Sequence, residues 1–586
     1  MWFRDRPDLL QRELDALEEA DIPFVLDEEQ RDDRGIICLT AEVPIDGVTR
    51  GFTATYPDNF PYFKPFVTGP DLGYRHHVSP TTGEYCLLET GRGAWEPSHT
   101  LAWLLTVQLN KVVEANQADV GSAGPELEVQ QAEPFSAYLR PDDLEEMVVV
   151  DSSLVPGDAR FGTADLAYTR GAYGTPLRGH VYALRDAGGR DVSTPVDPPM
   201  RDAEANRLGE VRIAWAQLDH QPPADDPNSW WAAAGGVFPG MEDLLQGVPG
   251  RPRNTQASAL QILLVGFPEE SAHRRTGQGW VVLVRHRDRA RKPWRRPRFV
   301  RVERAGHYDL YTREPRLTSM QHARIALVGL GGLGAQLVSL LGCMAPAKMY
   351  LIDGDYMNAA TAIRNAGAFA TTGRAKAALA AQTVHATQPY TELAGLVRQV
   401  GMPRLSRDRA QQQHEDAELS MTEIVRDVDL VIDAAADLSV QHFLSDTASA
   451  NGVAYLRAEA LPGVRSGVVA LQRPDGGVCW MCWQNHLSTT IAPLPAHEPP
   501  GGVQPPGCPD PTYTGAGFDL AAIAAQTAQV AASFLTGPDG YGTLPADVFT
   551  VRFVDDSGNP TPASWHAHAL DRHPDCNNDL AHRSTS

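Results

Sequence analysis

The chain has 586 residues, more than one hydrophobic core holds, so two to four domains are expected. Hydrophobic content of 42%, charged content of 21% and a net charge of −22 describe an ordinary globular protein and argue against a nucleic-acid coat. Seven cysteines in a chain this long do not read as a secreted disulfide framework. No apolar run reads as long enough to span a bilayer, and Met1-Trp2-Phe3-Arg4 lacks a signal peptide's apolar stretch, so the expected compartment is the cytoplasm, away from membranes.

Leu9, Leu10, Leu14 and Leu17 recur at helical spacing within 6–21. Strand-like stretches follow at 23–26, 36–44 and 50–55. Next come Tyr56-Pro57-Asp58-Asn59-Phe60-Pro61, then Gly83-Glu84-Tyr85-Cys86-Leu87, then Trp95-Glu96-Pro97, and a leucine-dense helix at 99–115. This order resembles the ubiquitin-conjugating fold over roughly 1–120. The resemblance implies that Cys86 accepts a protein's C-terminus as a thioester and passes it to an amine. The family's usual His-Pro-Asn is replaced here by His76-His77-Val78. A histidine or backbone N–H groups would then steady the oxyanion, and His76 or His77 would help deprotonate the amine or thiol. The alternative is that Cys86 is a remnant in an inactive adaptor.

Residues 136–300 are rich in Pro, Gly, Asp and Arg, with strand-like runs at 261–265 and 280–284. The stretches 186–205 and 220–255 read as loops, and Trp230 and Trp231 as packing residues. His180, Asp219 and His220 stand apart from any motif, and the basic cluster from Arg285 to Arg304 reads as a solvated surface or hairpin. A small α/β linker domain is expected. Cys38 and Cys343 lie in apolar runs and read as small core residues.

Arg324 to Val328 is a buried-strand pattern leading into Gly329-Leu-Gly331-Gly332-Leu-Gly334, an apolar helix over 335–344, and a second strand from Met349 to Ile352 ending in Asp353. Glycines there let the backbone approach phosphates, and an acidic residue one strand later suits a ribose hydroxyl. By itself this pattern equally suits an NAD dehydrogenase. The residues beyond it, Asp353-Gly-Asp355, Asn358, Arg364-Asn365 and Gly373-Arg374-Ala375-Lys376, resemble the adenylyltransferase family. That family contains ubiquitin-activating enzymes and ThiF- and MoeB-like sulfur-carrier adenylyltransferases.

The resemblance implies ATP as co-substrate. Asp353 and Asp355 would lie at the ribose, Asn358, Arg364 and Lys376 at the triphosphate, and Asp437 at Mg2+, with Asp433 four residues earlier. Arg313 resembles an arginine that some relatives insert into a partner subunit's ATP site, which fits a homodimer. Relatives pair a Cys-x-x-Cys with a later one around zinc; Cys479 and Cys482 match the first pair, and Cys576 with Asp579 takes the second place, with His573 nearby. Cys508, in a Gly/Pro-rich loop before an alanine-rich helix at 519–535, matches the thioester-forming cysteine of the activating family. It alternatively completes the zinc site.

The expected fold is therefore multidomain, α/β and α+β: a conjugating-type α+β domain at 1–135, a linker domain at 136–305 and a Rossmann-like adenylation domain at 306–586. The layout resembles the fused conjugating and activating (E2–E1) proteins of bacterial antiviral, CBASS-type operons, found beside cyclic-oligonucleotide synthases. That implies adenylation of a partner's C-terminus, thioester transfer from Cys508 to Cys86, and conjugation to target lysines. The partner would be the cyclic-oligonucleotide synthase or a ubiquitin-like protein with a free C-terminus, since this chain ends in Ser584-Thr585-Ser586 without a glycine tail. The competing expectation is a sulfur-transfer adenylyltransferase for which the N-terminal domain is only a scaffold.

Overall fold

The computed structural model describes residues 1–586 apart from 75, 89–94, 119–132, 140–145, 171–176, 195–207, 224–225, 246–247, 250–258, 273–274, 288–292, 402–418, 496–502, 504–512 and 579–586. The chain divides into two compact units, one made of Met1–Val196 with Arg207–Arg304, the other chiefly of Ala305–Ser586.

In the first unit an antiparallel meander runs Phe24–Leu26, Cys38–Ile45, Val48–Thr55, Phe66–Thr68. Strict alternation builds it: Leu39, Ala41, Val43 and Ile45 are buried while Thr40, Glu42 and Pro44 face out. The helix Pro7–Glu19 packs on it, as does a second helix that passes from Leu101–Trp103 through a π-helical stretch, Leu104–Gln108, into Leu109–Ala118. Glu13 is fully buried and ties these parts together. Its Oε2 accepts from the Tyr56 hydroxyl at 2.9 Å and from the Leu101 N–H at 2.8 Å, satisfying an orphan donor at the start of the second helix. Burial raises its carboxyl above the usual range.

The remainder of this unit is a nine-stranded sheet. Its longest strands, Ala259–Ala272 and Arg275–Arg287, form a hairpin, and Leu208–Gln217 runs parallel to the first of them. Phe161–Arg170, Leu177–Asp186 and Met147–Val150 continue the order. Arg298–Val300 lies at one end of this order and Val302–Arg304 at the other, separated by Arg301 alone. One short segment thus joins both edges and rolls the sheet into a barrel. Ile213, Trp215, Ile262, Leu264, Val282, Val284, Val300 and Val302 share the inner cluster. The intervening Ala214, Ala216, Leu263, Val265, Val281 and Leu283 face outward onto Trp230 and Trp231 of the helix Pro227–Val237. The middle is therefore regular over its described residues, and 227–237 is helix where composition suggested loop.

The second unit holds an eight-stranded sheet. Glu392–Val397, Lys348–Asp353, Arg324–Val328, Leu430–Asp433 and Ala454–Ala460 are parallel neighbours in that order. Ser466–Gln472, Val548–Val554 and Pro560–His568 extend it antiparallel. Helices cover both faces: Ile325 and Leu327 pack beneath Gly332–Cys343, Lys376–Thr387 and Gly517–Thr536, while Ala326 and Val328 face Met421–Arg426 and Leu438–Ala450. Gly517–Thr536 is, against expectation, long and apolar enough to cross a membrane by length and composition, yet Leu520, Ile523, Ala524 and Ala528 are buried in this core. Cys343 is exposed, not core, because it ends its helix on the outer face; Cys38 is half-buried.

Candidate functional site

Cys86 ends one arm of a tight hairpin. Its N–H donates to the His77 carbonyl at 2.8 Å, Val78 bridges Tyr85, Ser79 N–H donates to Glu84 at 2.8 Å, and Gly83 makes the turn at φ +68°. Tyr85 is buried beneath, with its N–H on Val67 at 2.8 Å and its hydroxyl on the Pro70 carbonyl at 2.7 Å, so the thiol is held on an anchored arm and faces solvent. A hydrogen bond with the His77 side chain, helped by the Lys64 charge, lowers the Cys86 thiol below its ordinary range despite partial burial. His77 sits at φ +63°, in the left-handed region. Its neighbour His76 turns inward, and its Nε2 lies 3.0 Å from Oε2 of Glu270 on the barrel strand Ala259–Ala272. The two histidines therefore take different places, one at the thiol and one in the barrel contact. Sequence reasoning missed Lys64, Glu270 and Tyr138; Glu270 lies 194 residues from His76, so no local pattern announces it.

In the second unit the glycine loop leaves Arg324–Val328 beside Leu430–Asp433, where the strand order reverses, the place at which open α/β sheets bind ligands. Gly329 adopts φ +84°, and a Cβ there would stand 2.6 Å from the Ala435 backbone. A Cβ on Gly334 would collide with the Gly329 carbonyl oxygen, and one on Gly332 would meet Leu520 at 2.8 Å and Arg364 at 3.0 Å. Gly331 differs: a Cβ there meets nothing within 4 Å. Asp353 props the loop, its Oδ2 accepting from Leu330 N–H and its Oδ1 from Asp355 N–H, each at 2.7 Å. Asp355 pairs with Lys376, whose hydrogen bond and charge outweigh burial and lower the carboxyl. Asn358 Oδ1 caps the 3-10 helix Ala359–Ile363 through Ala360 N–H at 2.8 Å. Arg364 reaches over the loop and donates to the Tyr513 carbonyl at 2.9 Å.

The two aspartates after the fourth parallel strand separate. Asp433 is fully buried, accepting from Ala435 N–H and the Tyr455 hydroxyl at 2.9 Å each, and burial pushes its carboxyl up to about 6. Asp437 is exposed at the N-cap of Leu438–Ala450, with Oδ1 accepting from Val440 N–H at 3.0 Å. An exposed carboxylate with one oxygen engaged in a cap fits a divalent cation better than the buried residue does. Arg313 is exposed on the 3-10 helix Tyr308–Arg313. Arg457, also missed, is buried over the Trp483 ring at 4.9 Å, with Nε 3.9 Å from Glu459.

Cys479, Cys482 and Cys576 converge, their sulfurs all within 4.8 Å of one another and buried. Hydrogen bonding from Cys479, and from the His573 N–H at 3.4 Å, draws the Cys482 thiol below its ordinary range. Three buried sulfurs at this spacing are compatible with a tetrahedral zinc site. Both ring nitrogens of His573 are engaged: its Nδ1 accepts from Asp575 N–H at 3.1 Å and its Nε2 lies 3.0 Å from the Thr489 hydroxyl. Asp579 and Cys508 lie outside the described residues.

Residues 307–576 match the model of the ThiF family, and residues 16–148 match that of prokaryotic E2 family B. The chain is a fusion of an E2-type domain with an E1-like ThiF adenylation domain, which places it among ubiquitin-like activating and conjugating enzymes. Among curated proteins it is 26% identical over 588 residues to the uncharacterized protein y4qC of Sinorhizobium fredii, covering 96% of this chain and 95% of that one. To y4oA of the same organism it is 24% identical over 590 residues, covering 98% and 97%. Among solved structures it is similar to Escherichia coli MccB with ATP at 13% identity and a TM-score of 0.32, covering 45% of this chain and 68% of that one. PaaA aligns at 16% identity and 0.30, covering 43% and 66%.

Proposed function

We propose that this chain adenylates the C-terminal carboxylate of a partner protein and relays it through Cys508 and Cys86 to lysines of a target. The observation that carries this reading is the exposed Cys86 thiol bonded to His77, on the same polypeptide as the glycine loop with its Lys376 and Arg364 cations. In the first step the partner's carboxylate attacks the α-phosphorus of ATP and pyrophosphate leaves. Gly329, Gly331, Gly332 and Gly334 let the backbone approach the phosphates, Lys376 and Arg364 take up charge on the leaving group, and Asn358, Asp353 and Asp355 frame the nucleotide. Mg2+ held at Asp437 would offset the triphosphate's charge. The Cys508 thiolate next displaces AMP, and the Cys86 thiolate then displaces Cys508. A lysine amine finally attacks the Cys86 thioester, leaving an isopeptide and a free thiol. Cys479, Cys482 and Cys576 would hold a structural zinc, with Asp579 as the fourth ligand.

The place of this chemistry in antiphage defence, with a cyclic-oligonucleotide synthase or a ubiquitin-like protein as partner, rests on the resemblance of the two-ended layout. So does a cytoplasmic homodimer in which Arg313 serves the neighbouring ATP site. The test mixes the chain with ATP, Mg2+ and the product of a neighbouring gene ending in glycine or alanine. Non-reducing gels should show a thiol-sensitive adduct whose first stage needs Cys508 and whose second needs Cys86. An adduct or thiocarboxylate indifferent to Cys86→Ala would refute conjugation and leave sulfur transfer.

A further inference from the structure

The hairpin bearing Cys86 is tied to the barrel at two places. At its base His76 Nε2 meets Glu270 Oε2 at 3.0 Å, with the histidine side chain only 5% exposed. At its tip the Thr81 hydroxyl donates to the Tyr138 carbonyl at 3.4 Å, and Ser79 lies 3.2 Å from Thr81. Tyr138 is itself held fast: its 3-10 helix, Phe135–Tyr138, stacks Phe135 on Trp230 at 5.0 Å, and Phe135 N–H donates to Glu269. Both ties reach the thiol through few bonds. His76 directly precedes His77, whose carbonyl takes the Cys86 N–H and whose ring bonds Sγ. His77 also stands at φ +63°, a conformation about 1–2 kcal/mol unfavourable for a residue with a Cβ, so the fold must hold it there.

We propose that Glu270 is a positioning residue for Cys86: through His76 it fixes the turn that aims His77 at Sγ, which makes the barrel a working part of the conjugating site. In this arrangement the barrel supplies the constraint that an asparagine after His-Pro gives in the conjugating family. The proposal deepens the relay reading and rests on it for the thiol's purpose, but its geometry needs neither ATP nor a partner.

The charged and titratable groups around the thiol set a sign that separates positioning from electrostatics. His77 and Lys64 lower the Cys86 thiol, and Tyr138, pushed up to about 12 chiefly by burial, interacts with it. Glu133 acts on Tyr138, while Glu270 and its neighbour Glu269 are the carboxylates on the barrel side. Removing the Glu270 carboxylate lowers a nearby thiol by its direct charge and raises it by letting His76 shed a proton, and Glu270→Gln removes that same charge while keeping the contact. A rise in the Cys86 pKa in Glu270→Ala that Glu270→Gln does not share therefore reports lost positioning.

The experiment measures iodoacetamide alkylation of Cys86 in the full chain across pH 5.5–9.5, read on its own peptide by mass spectrometry, with exposed Cys343 as internal control. Wild type should titrate below the free-thiol value of about 8.5. Glu270→Ala should move the profile up and slow alkylation at pH 7 about three- to tenfold, near that of His77→Ala. Glu270→Gln, which keeps an acceptor for His76, should retain the wild-type profile or fall slightly below it. Profiles of Glu270→Ala and wild type that superimpose, or that shift downward, overturn the proposal. Should Glu270→Ala not fold, Glu270→Asp against Glu270→Gln decides: slower alkylation in Asp alone supports positioning, and equal profiles refute it. If the relay assay fails while the alkylation shift stands, the function is wrong and the positioning right.

Discussion

Replacing Gly329 and Gly331 separately by alanine tests the nucleotide site at its backbone. At Gly329 the new Cβ stands 2.6 Å from both N and Cα of Ala435 and 2.7 Å from the Ala434 carbonyl carbon, at φ +84°. The dihedral costs about 1–2 kcal/mol, and relieving a backbone overlap of more than half an ångström adds about 1–3 kcal/mol. At about 2–4 °C per kcal/mol for a unit of this size, the calorimetric transition of the second unit should fall by about 4–20 °C. At Gly331 the backbone is ordinary and the space open, so stability should stay within about 0.5 kcal/mol of wild type. The same Cβ would occupy the space through which a phosphate approaches the loop, and ATP–Mg2+ binding measured by titration calorimetry should weaken at least about tenfold, or 1.4 kcal/mol. Wild-type ATP affinity in folded Gly331→Ala would refute the reasoning, as would an unshifted transition in Gly329→Ala.

Asp437→Asn keeps the helix cap and should leave stability unchanged while Mg2+-dependent ATP turnover drops; full turnover in this variant would remove Asp437 from the metal. Elemental analysis should find about one zinc per chain in wild type and none in Cys576→Ser, whereas equal zinc in both would exclude the triad. Glu13→Leu strands the Leu101 N–H and the Tyr56 hydroxyl, at about 1–3 kcal/mol each by thermal unfolding of the first unit, and Glu13→Gln should cost far less. Because the folded carboxyl titrates above its unfolded value, its stabilisation is fully present below the ordinary carboxyl range and lost as pH rises through the folded one. The melting difference between Glu13→Gln and wild type should therefore shift in the variant's favour from pH 4.5 to 7, and a flat difference would contradict that sign.

Legibility followed the range over which each feature is encoded. The meander of the E2-type domain could be read because Leu39 to Ile45 alternate, and the glycine loop because its four glycines lie within six residues, although the groups that crowd them, Ala435 and Leu520 among them, are distant in sequence. The thiol triad was legible from Cys479-x-x-Cys482, although nothing local shows that Cys576 closes on it. The helix Pro227–Val237 was lost in a loop-like composition, even though Asp226 caps it and Pro227 begins it, signals that pattern reading weighs too lightly against Gly and Pro content. Periodicity gave Cys343 an apolar neighbourhood but could not say that its own position points outward. Asp433 and Asp437 look alike in sequence; burial of one and capping by the other divide them. The pairing of His76 with Glu270 needs the barrel strand in register, and no window on either side contains it.

The segment 298–304 has a consequence for how chains meet. A sheet with two free margins offers each of them as a template for an incoming strand. Here a single stretch of seven residues occupies both: Arg298–Val300 hydrogen-bonds along Arg275–Arg287, and two residues later Val302–Arg304 runs along Met147–Val150. Among the described residues, an extended peptide finds Val282–Val284 and Val148–Val150 already paired along those margins. Over those stretches, capture of a peptide falls to side chains on the outer wall, which makes recognition there a matter of sequence and not of main-chain adhesion.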